Sequence, residues 1–341
     1  MTQPLLSVRG LSKVYGRTWS ALGIHGRAVD AVVNLSFEVE QYDSLGIVGE
    51  SGSGKTTVAR LVSGLDRPTS GAVVLDGMDL DSLSGAALRG ARARVHLIFQ
   101  DAYDSLDPGM RVADIVSEPT LAHERASRHA RHAVAENALS AVQLPAAYSD
   151  KYPHQLSGGE RQMVAIARAI ASGALMFVYD EPTSSLDVSV QAQILNLLND
   201  VHVREAGTRI FISHNLGVIR YVASRVAVML SGRIVEMATT DNLYGDPQHP
   251  YTVALLRAVP RLGVSRVGPR LADHATIREP LLEWSATDGG CPYYRRCPSA
   301  QLLCSHTEPL LLEHTSGHFV ACHYPRGTDQ TAPVLPFGAA T

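Results

Sequence analysis

Two kinds of hydrophobic pattern run along the chain, and they predict two kinds of sheet. Residues 5–9 and 34–40 alternate apolar and polar side chains, the period of strands in an exposed antiparallel sheet. Leu45-Gly46-Ile47-Val48, Val95-His96-Leu97-Ile98-Phe99, Leu175-Met176-Phe177-Val178-Tyr179 and Arg209-Ile210-Phe211-Ile212-Ser213 are mostly apolar without alternation. Such runs suit strands buried on both faces of a parallel sheet. Helical spacing lies between them, as in Met163 to Ala171 and Val190 to Leu198. Strand and helix in alternation predict an α/β domain, here over 1–260. After Pro260 the periodicity lapses, and 261–289 reads as a linker or a loop laid over the surface. A cysteine-containing segment occupies 290–325, and 326–341, with Gly, Thr, Pro and Ala, reads as a disordered tail.

Composition removes several classes of function. The chain has 341 residues, 45% of them hydrophobic, enough for a full-sized core. Thirty Lys and Arg against 33 Asp and Glu leave a net charge of −3. That balance provides no general attraction for nucleic acid. No stretch approaches the ~18 apolar residues of a membrane span. The opening Met-Thr-Gln-Pro-Leu-Leu lacks a basic region followed by an apolar one, so a soluble, cytosolic protein is expected. The four cysteines, Cys291, Cys297, Cys304 and Cys322, all fall in the last sixth of the chain. In a reducing compartment such a group reads first as a metal or cluster site, not as disulfides.

Gly49-Glu50-Ser51-Gly52-Ser53-Gly54-Lys55-Thr56 matches G-x-x-x-x-G-K-[ST]. Glycines let successive N–H groups converge on phosphate oxygens with no Cβ in the way. An apolar strand precedes the match and a helical segment, Thr57 to Gly64, follows it, adding the positive end of a helix dipole. Lys55 is placed to reach the β- and γ-phosphates, and the Thr56 hydroxyl to ligate Mg²⁺. A nucleotide and Mg²⁺ are therefore the expected substrate and cofactor.

Further along, Phe177-Val178-Tyr179-Asp180-Glu181-Pro182 is a buried strand ending in two adjacent acids. Alternation sends the two to different sides of the strand, so they can do different work. Asp180 would hold the Mg²⁺ shell, and Glu181 would polarise the attacking water as general base. Leu156-Ser157-Gly158-Gly159-Glu160 precedes a strong helix, and Ser157 and Glu160 have capping-box spacing. The two glycines leave a bare, positive helix terminus suited to a γ-phosphate.

Taken in order, Tyr15, the phosphate loop, Gln100, Leu156 to Glu160, Asp180-Glu181, Ser185-Leu186-Asp187 and His214 resemble the motifs of the ABC-transporter ATPase domain. The resemblance covers roughly residues 5–260. It implies an α/β fold with a parallel core sheet, an antiparallel β subdomain and a helical signature subdomain, plus a small C-terminal cysteine-rich extension. By resemblance, Tyr15 stacks on adenine and Gly49 to Thr57 hold the phosphates. Gln100 senses Mg²⁺ and faces membrane subunits, and His214 contacts the γ-phosphate. Ser157, Gly158, Gly159 and Asp187 serve the nucleotide of a second ATPase subunit, because two such domains sandwich two ATP molecules. Glu160 stands where the family more often has Gln, Asn215 where Asp usually follows the histidine, and Thr18 to Val29 lengthens the gap after Tyr15.

Three stretches resemble the dipeptide/oligopeptide importer branch: Gln100 to Met110, His249-Pro250-Tyr251-Thr252 with Leu255-Leu256 and Pro260, and the cysteine segment through Gly317-His318 and Ala321-Cys322-His323. The long N-terminal insert points to the second of that importer's two ATPase subunits. The resemblance implies peptide import at the cytoplasmic face of the membrane. Its partners would be a second ATPase subunit, two permease subunits and an extracytoplasmic solute-binding protein, with no nucleic acid. Another solute such as nickel, or a soluble non-transport complex, are the alternatives. The cysteines lack the paired C-x₂₋₄-C spacing of zinc ribbons. Some branch members carry a [4Fe–4S] cluster on four thiolates; structural zinc and free thiols stay open beside it.

Overall fold

The computed structural model describes residues 3–16, 28–100, 105–121, 127–205, 207–258 and 289–326. The expected linker before Gly289, the tail beyond Arg326, most of the insert after Tyr15 and residues 101–104 lie outside the described residues.

Strands β1 (Leu6–Tyr15) and β2 (Val29–Val39) form the alternating pair that the pattern predicts, and they run antiparallel. With β4 (Ser70–Leu75) and β5 (Met78–Asp79) they make a four-stranded antiparallel sheet in the order β2-β1-β4-β5. All four unalternating runs enter a second sheet, as β3 (Ser44–Val48), β6 (Val95–Ile98), β7 (Met176–Asp180) and β8 (Thr208–Ser213). Its order is β11-β12-β10-β9-β3-β8-β7-β6, with β9 (Arg225–Leu230), β10 (Arg233–Thr239), β11 (Leu312–Thr315) and β12 (His318–Val320). Pairs from β9 through β3, β8 and β7 to β6 are parallel.

Burial explains the loss of alternation. Leu45, Ile47, Val178, Ile210 and Ile212 face a core shared with the antiparallel sheet. Val48, Phe177, Tyr179 and Phe211, their neighbours in the same strands, face a second core. Both faces are dry, so both sets must be apolar. Helix α1 (Lys55–Val62) is held in the first core through Val58, Ala59, Leu61 and Val62. Helix α2 (Gly85–Arg92) precedes β6. A helical layer of α3 (Val112–Leu121), α4 (Arg128–Ala141) and α5 (Gly158–Ala171) contributes Ile115, Leu139 and Val164 to the second core. Helices α6 (Val188–Glu205), α7 (Leu216–Val222), α8 (Thr240–Gly245) and α9 (Pro250–Ala258) complete the α/β body.

The cysteine segment is built onto this body. Helix α10 (Leu302–His306) and the β11–β12 hairpin follow residue 289, and β12 pairs antiparallel with β10, extending the main sheet. His318 Nε2 lies 2.7 Å from a carboxylate oxygen of Glu236, which is fully buried on β10. The same carboxylate accepts the backbone N–H groups of Gln248 and His249 at 2.7 and 3.0 Å. One buried acid thus joins the sheet, the approach to α9 and the extension, with three donors to balance its desolvation.

Asn215, at the position where the family pattern has Asp, caps α7: its Oδ1 accepts the N–H groups of Gly217 and Val218. Asn caps as well as Asp, so the departure is neutral for the fold. Asn215→Ala is expected to cost about 1 kcal/mol, read as a lower urea midpoint with an unchanged slope.

Candidate functional site

The phosphate loop sits between β3 and α1, at the carboxyl end of the parallel sheet, where open α/β sheets bind ligands. Two of its glycines, Gly49 and Gly54, are sterically required. Gly54 caps α1 with φ near +100°, and a Cβ there would lie 2.1 Å from the Ala31 carbonyl oxygen. A Cβ on Gly49 would lie 2.2 Å from the Met229 carbonyl oxygen. Real Cβ atoms do not approach so closely, so any side chain would displace the loop. Ser51 and Gly52 are exposed, whereas Ser53 is buried.

Lys55 is buried, and its Nζ donates to the carbonyls of Gly49 and Glu50 at 2.9 and 2.8 Å. Burial holds its pKa below the usual lysine value, although Glu181, Asp180 and Glu50 oppose the shift. The Thr56 hydroxyl donates to Asp180 Oδ1 at 3.3 Å. Asp180 ends β7 and is 4% exposed; burial pushes its carboxyl above the usual range, with Thr56 and Lys55 opposing. A hydroxyl and a carboxylate facing each other beside a phosphate loop are the hard oxygen donors that Mg²⁺ takes. The donor set fits the expected ion.

Glu181 follows at φ +49°, a left-handed conformation uncommon for a residue with a Cβ. Its N–H donates to the Ile212 carbonyl at 2.9 Å, and its Oε2 lies 2.9 Å from His214 Nδ1. The strand register explains the meeting: Asp180 is opposite Ile212, so the residues after β7 and β8 emerge side by side. Glu181, Gln191 and His214 line one polar cleft. Gln100 is exposed two residues beyond β6, whose Ile98 pairs with Tyr179. Its position therefore lies along the same strand-end row.

Tyr15 is partly exposed at the end of β1, and its hydroxyl donates to Asp66 Oδ2 at 2.8 Å and also meets Thr57 in the first turn of α1. Ser157 caps α5 and Glu160 completes the expected capping box, Ser157 N–H donating to Glu160 Oε2 at 2.7 Å. Ser157 and Gly158 are exposed, so the turn is presented outward. Asp187 caps α6, accepting the N–H groups of Ser189 and Val190 and the Ser189 hydroxyl.

The four cysteines line a single pocket together with His249 and Tyr293. All four are unbridged, and Cys291 and Cys304 are buried. Burial pushes the Cys291 thiol up to about 11 and the Cys322 thiol up to about 12. As placed, however, no group of three or more His, Cys, Asp or Glu side chains among the described residues could hold a metal ion. The expected iron–sulfur centre is thus not formed as a metal site. What is present is four unbridged thiols lining one pocket.

Sequence reasoning missed two contacts. Arg296, between Cys291 and Cys297, pairs with Glu50 of the phosphate loop, and Tyr251 accepts the Glu50 backbone N–H at 3.1 Å. Tyr251 stands inside the His249–Thr252 stretch, whose only signal was its likeness to the importer branch. Nothing in the sequence marked Arg296.

Comparison with known proteins agrees with this geometry. An ABC transporter family profile matches residues 32–184, and one for the C-terminal region of oligopeptide/dipeptide transporters matches 235–304. The dimeric ATP-binding cassette MJ0796, in a post-hydrolysis state with ADP and Pi, aligns with a TM-score of 0.61 and 26% identity, over 69% of this chain and 98% of its own. The chain belongs to the ABC-transporter ATP-binding family. Within it, the chain is 42% identical to a Brucella ovis protein named for peptide import, over 94% of this chain and 97% of that one. The di/tripeptide transport ATP-binding protein DppF of Pseudomonas aeruginosa is 38% identical over 94% and 98%. Among the described residues, no helix is long and apolar enough to cross a membrane.

Proposed function

We propose that this chain hydrolyses ATP to drive import of di- and oligopeptides through a membrane complex. One observation supports the hydrolysis above all: Lys55, Thr56, Asp180, Glu181 and His214 converge at the ends of three neighbouring parallel strands. Lys55 would bind the phosphates, and Thr56, Asp180 and Gln100 would hold Mg²⁺, whose positive charge would offset that of the phosphates. Glu181 accepts a proton from the attacking water, and His214, at 2.9 Å, orients the Glu181 carboxylate. Tyr15 offers an aromatic face for adenine. Ser157, Gly158, Gly159 and Asp187 complete the site of a second ATPase subunit.

Peptide as cargo rests on the family profile over 235–304 and on the names of the relatives. Two permease subunits and an extracytoplasmic binding protein complete the assembly, with this chain on the cytoplasmic face. Affinity purification from detergent-solubilised membranes, followed by peptide-stimulated ATPase assays in liposomes, tests the reading. Recovery without permease subunits, or ATPase activity indifferent to peptide, overturns it.

The convergence of Cys291, Cys297, Cys304 and Cys322 supports a [4Fe–4S] group in the extension. Such a group would tie four chain positions together through iron–thiolate bonds. Anaerobically purified protein is expected to hold about four irons and absorb near about 400 nm, and Cys304→Ser to lose both. Wild-type protein with neither removes the cluster.

A further inference from the structure

The cysteine segment touches the phosphate loop directly. Arg296 Nη1 donates to Glu50 Oε2 at 3.0 Å and its Nη2 to Oε1 at 2.5 Å, a two-pronged pair that fixes both partners in one plane. The guanidinium lies 5.4 Å from the ring centre of Tyr293 and 6.0 Å from that of Tyr251. Those two rings are themselves 5.4 Å apart. Tyr293 lines the cysteine pocket, and Tyr251, with no exposed surface, takes the Glu50 backbone N–H. A continuous set of contacts therefore runs from the cysteine pocket through Tyr293, Tyr251 and Arg296 to both the backbone and the carboxylate of one loop residue.

The charge balance says what this contact does. A carboxylate in a phosphate loop repels a triphosphate, and the Glu50 charge already reaches Lys55. Arg296 neutralises that carboxylate and holds it in the two-pronged pair. We propose that Arg296 is a positioning residue for the phosphate loop, supplied in cis by the cysteine segment, and that it makes ATP affinity depend on the order of that segment. The proposal rests on the reading that the loop binds ATP. It requires no change in the Glu181 chemistry, so it acts on nucleotide affinity and KM.

Titration of the full chain with ATP and Mg²⁺ by calorimetry tests it, beginning with wild type. Absence of wild-type binding would defeat the ATP reading itself, not the role of Arg296. Given wild-type binding, Arg296→Ala is expected to weaken affinity on the order of tenfold, with a much smaller change in kcat at saturating ATP. Glu50→Gln removes the repelling charge and is expected to lose less affinity than Arg296→Ala. The double variant is expected to regain most of the loss, since no uncompensated carboxylate remains. An unchanged Arg296→Ala, or a double variant as weak as Arg296→Ala alone, overturns the proposal. Should Arg296→Ala fail to fold, Arg296→Lys keeps the charge but loses the two-pronged geometry and is expected to fall in between.

Coupling is reciprocal. ATP with Mg²⁺ should therefore slow amide exchange over residues 291–297 in wild type but not in Arg296→Ala. Equal exchange with and without ATP in wild type refutes the link to the cysteine segment.

Discussion

Glu181→Gln should slow ATP hydrolysis by ~10²–10⁴-fold while leaving ATP affinity close to wild type. The substitution keeps the size and hydrogen-bonding reach of the side chain and removes only its ability to take a proton. Its neighbours are set by backbone geometry, since the Glu181 N–H is held by the Ile212 carbonyl and φ is already left-handed. The amide can still face His214 Nδ1 across the 2.9 Å contact. Phosphate release by the assembled complex, measured beside ATP affinity in the same preparation, separates chemistry from binding. A variant that hydrolyses at the wild-type rate would show that Glu181 is not the base. His214→Ala, which removes an orienting contact and not the base itself, should lose less, about 10–100-fold.

The unalternating runs were legible because a strand buried on both faces leaves no room for polar residues. Every one of them became a strand of the parallel sheet. The phosphate loop, the acid pair and the capped glycine turn were legible because each is written in a few contiguous residues, although the acid pair's partners, Thr56 and His214, lie far off in sequence. His214 could be named but not its partner, because the Glu181 contact depends on β7 lying beside β8. Long-range polar pairs were silent. Glu236 with His318, 82 positions apart, and Glu50 with Arg296, 246 apart, have no periodic signature. An isolated charge in a sequence looks the same whether its partner is solvent or a guanidinium. The place of the cysteine segment on the sheet was hidden for the same reason, since β12 is three residues long and pairs with a strand about 80 positions earlier.

Ser157→Asp is the sharpest test of whether two chains share each nucleotide. Ser157 does two jobs in this reading, capping α5 within its own chain and facing the γ-phosphate on its neighbour. Alanine would confuse them, because it removes the cap as well. Aspartate caps as well as serine does, so α5 and the Glu160 N–H contact survive. It nevertheless places a carboxylate on an exposed turn where the partner's triphosphate must dock. Two unit charges about 4 Å apart repel by about 4 kcal/mol at an effective dielectric of about 20, which corresponds to a loss on the order of 10²–10³-fold. Thermal stability and the ATP affinity of the isolated chain should stay at wild-type values, while ATP-driven pairing and hydrolysis in the complex collapse. Ser157→Asn, a neutral cap of nearly the same shape, should retain much more activity and so isolates charge from size. If Ser157→Asp hydrolyses normally once assembled, the outward-facing glycine turn of α5 is an ordinary helix start, and each chain completes its own site.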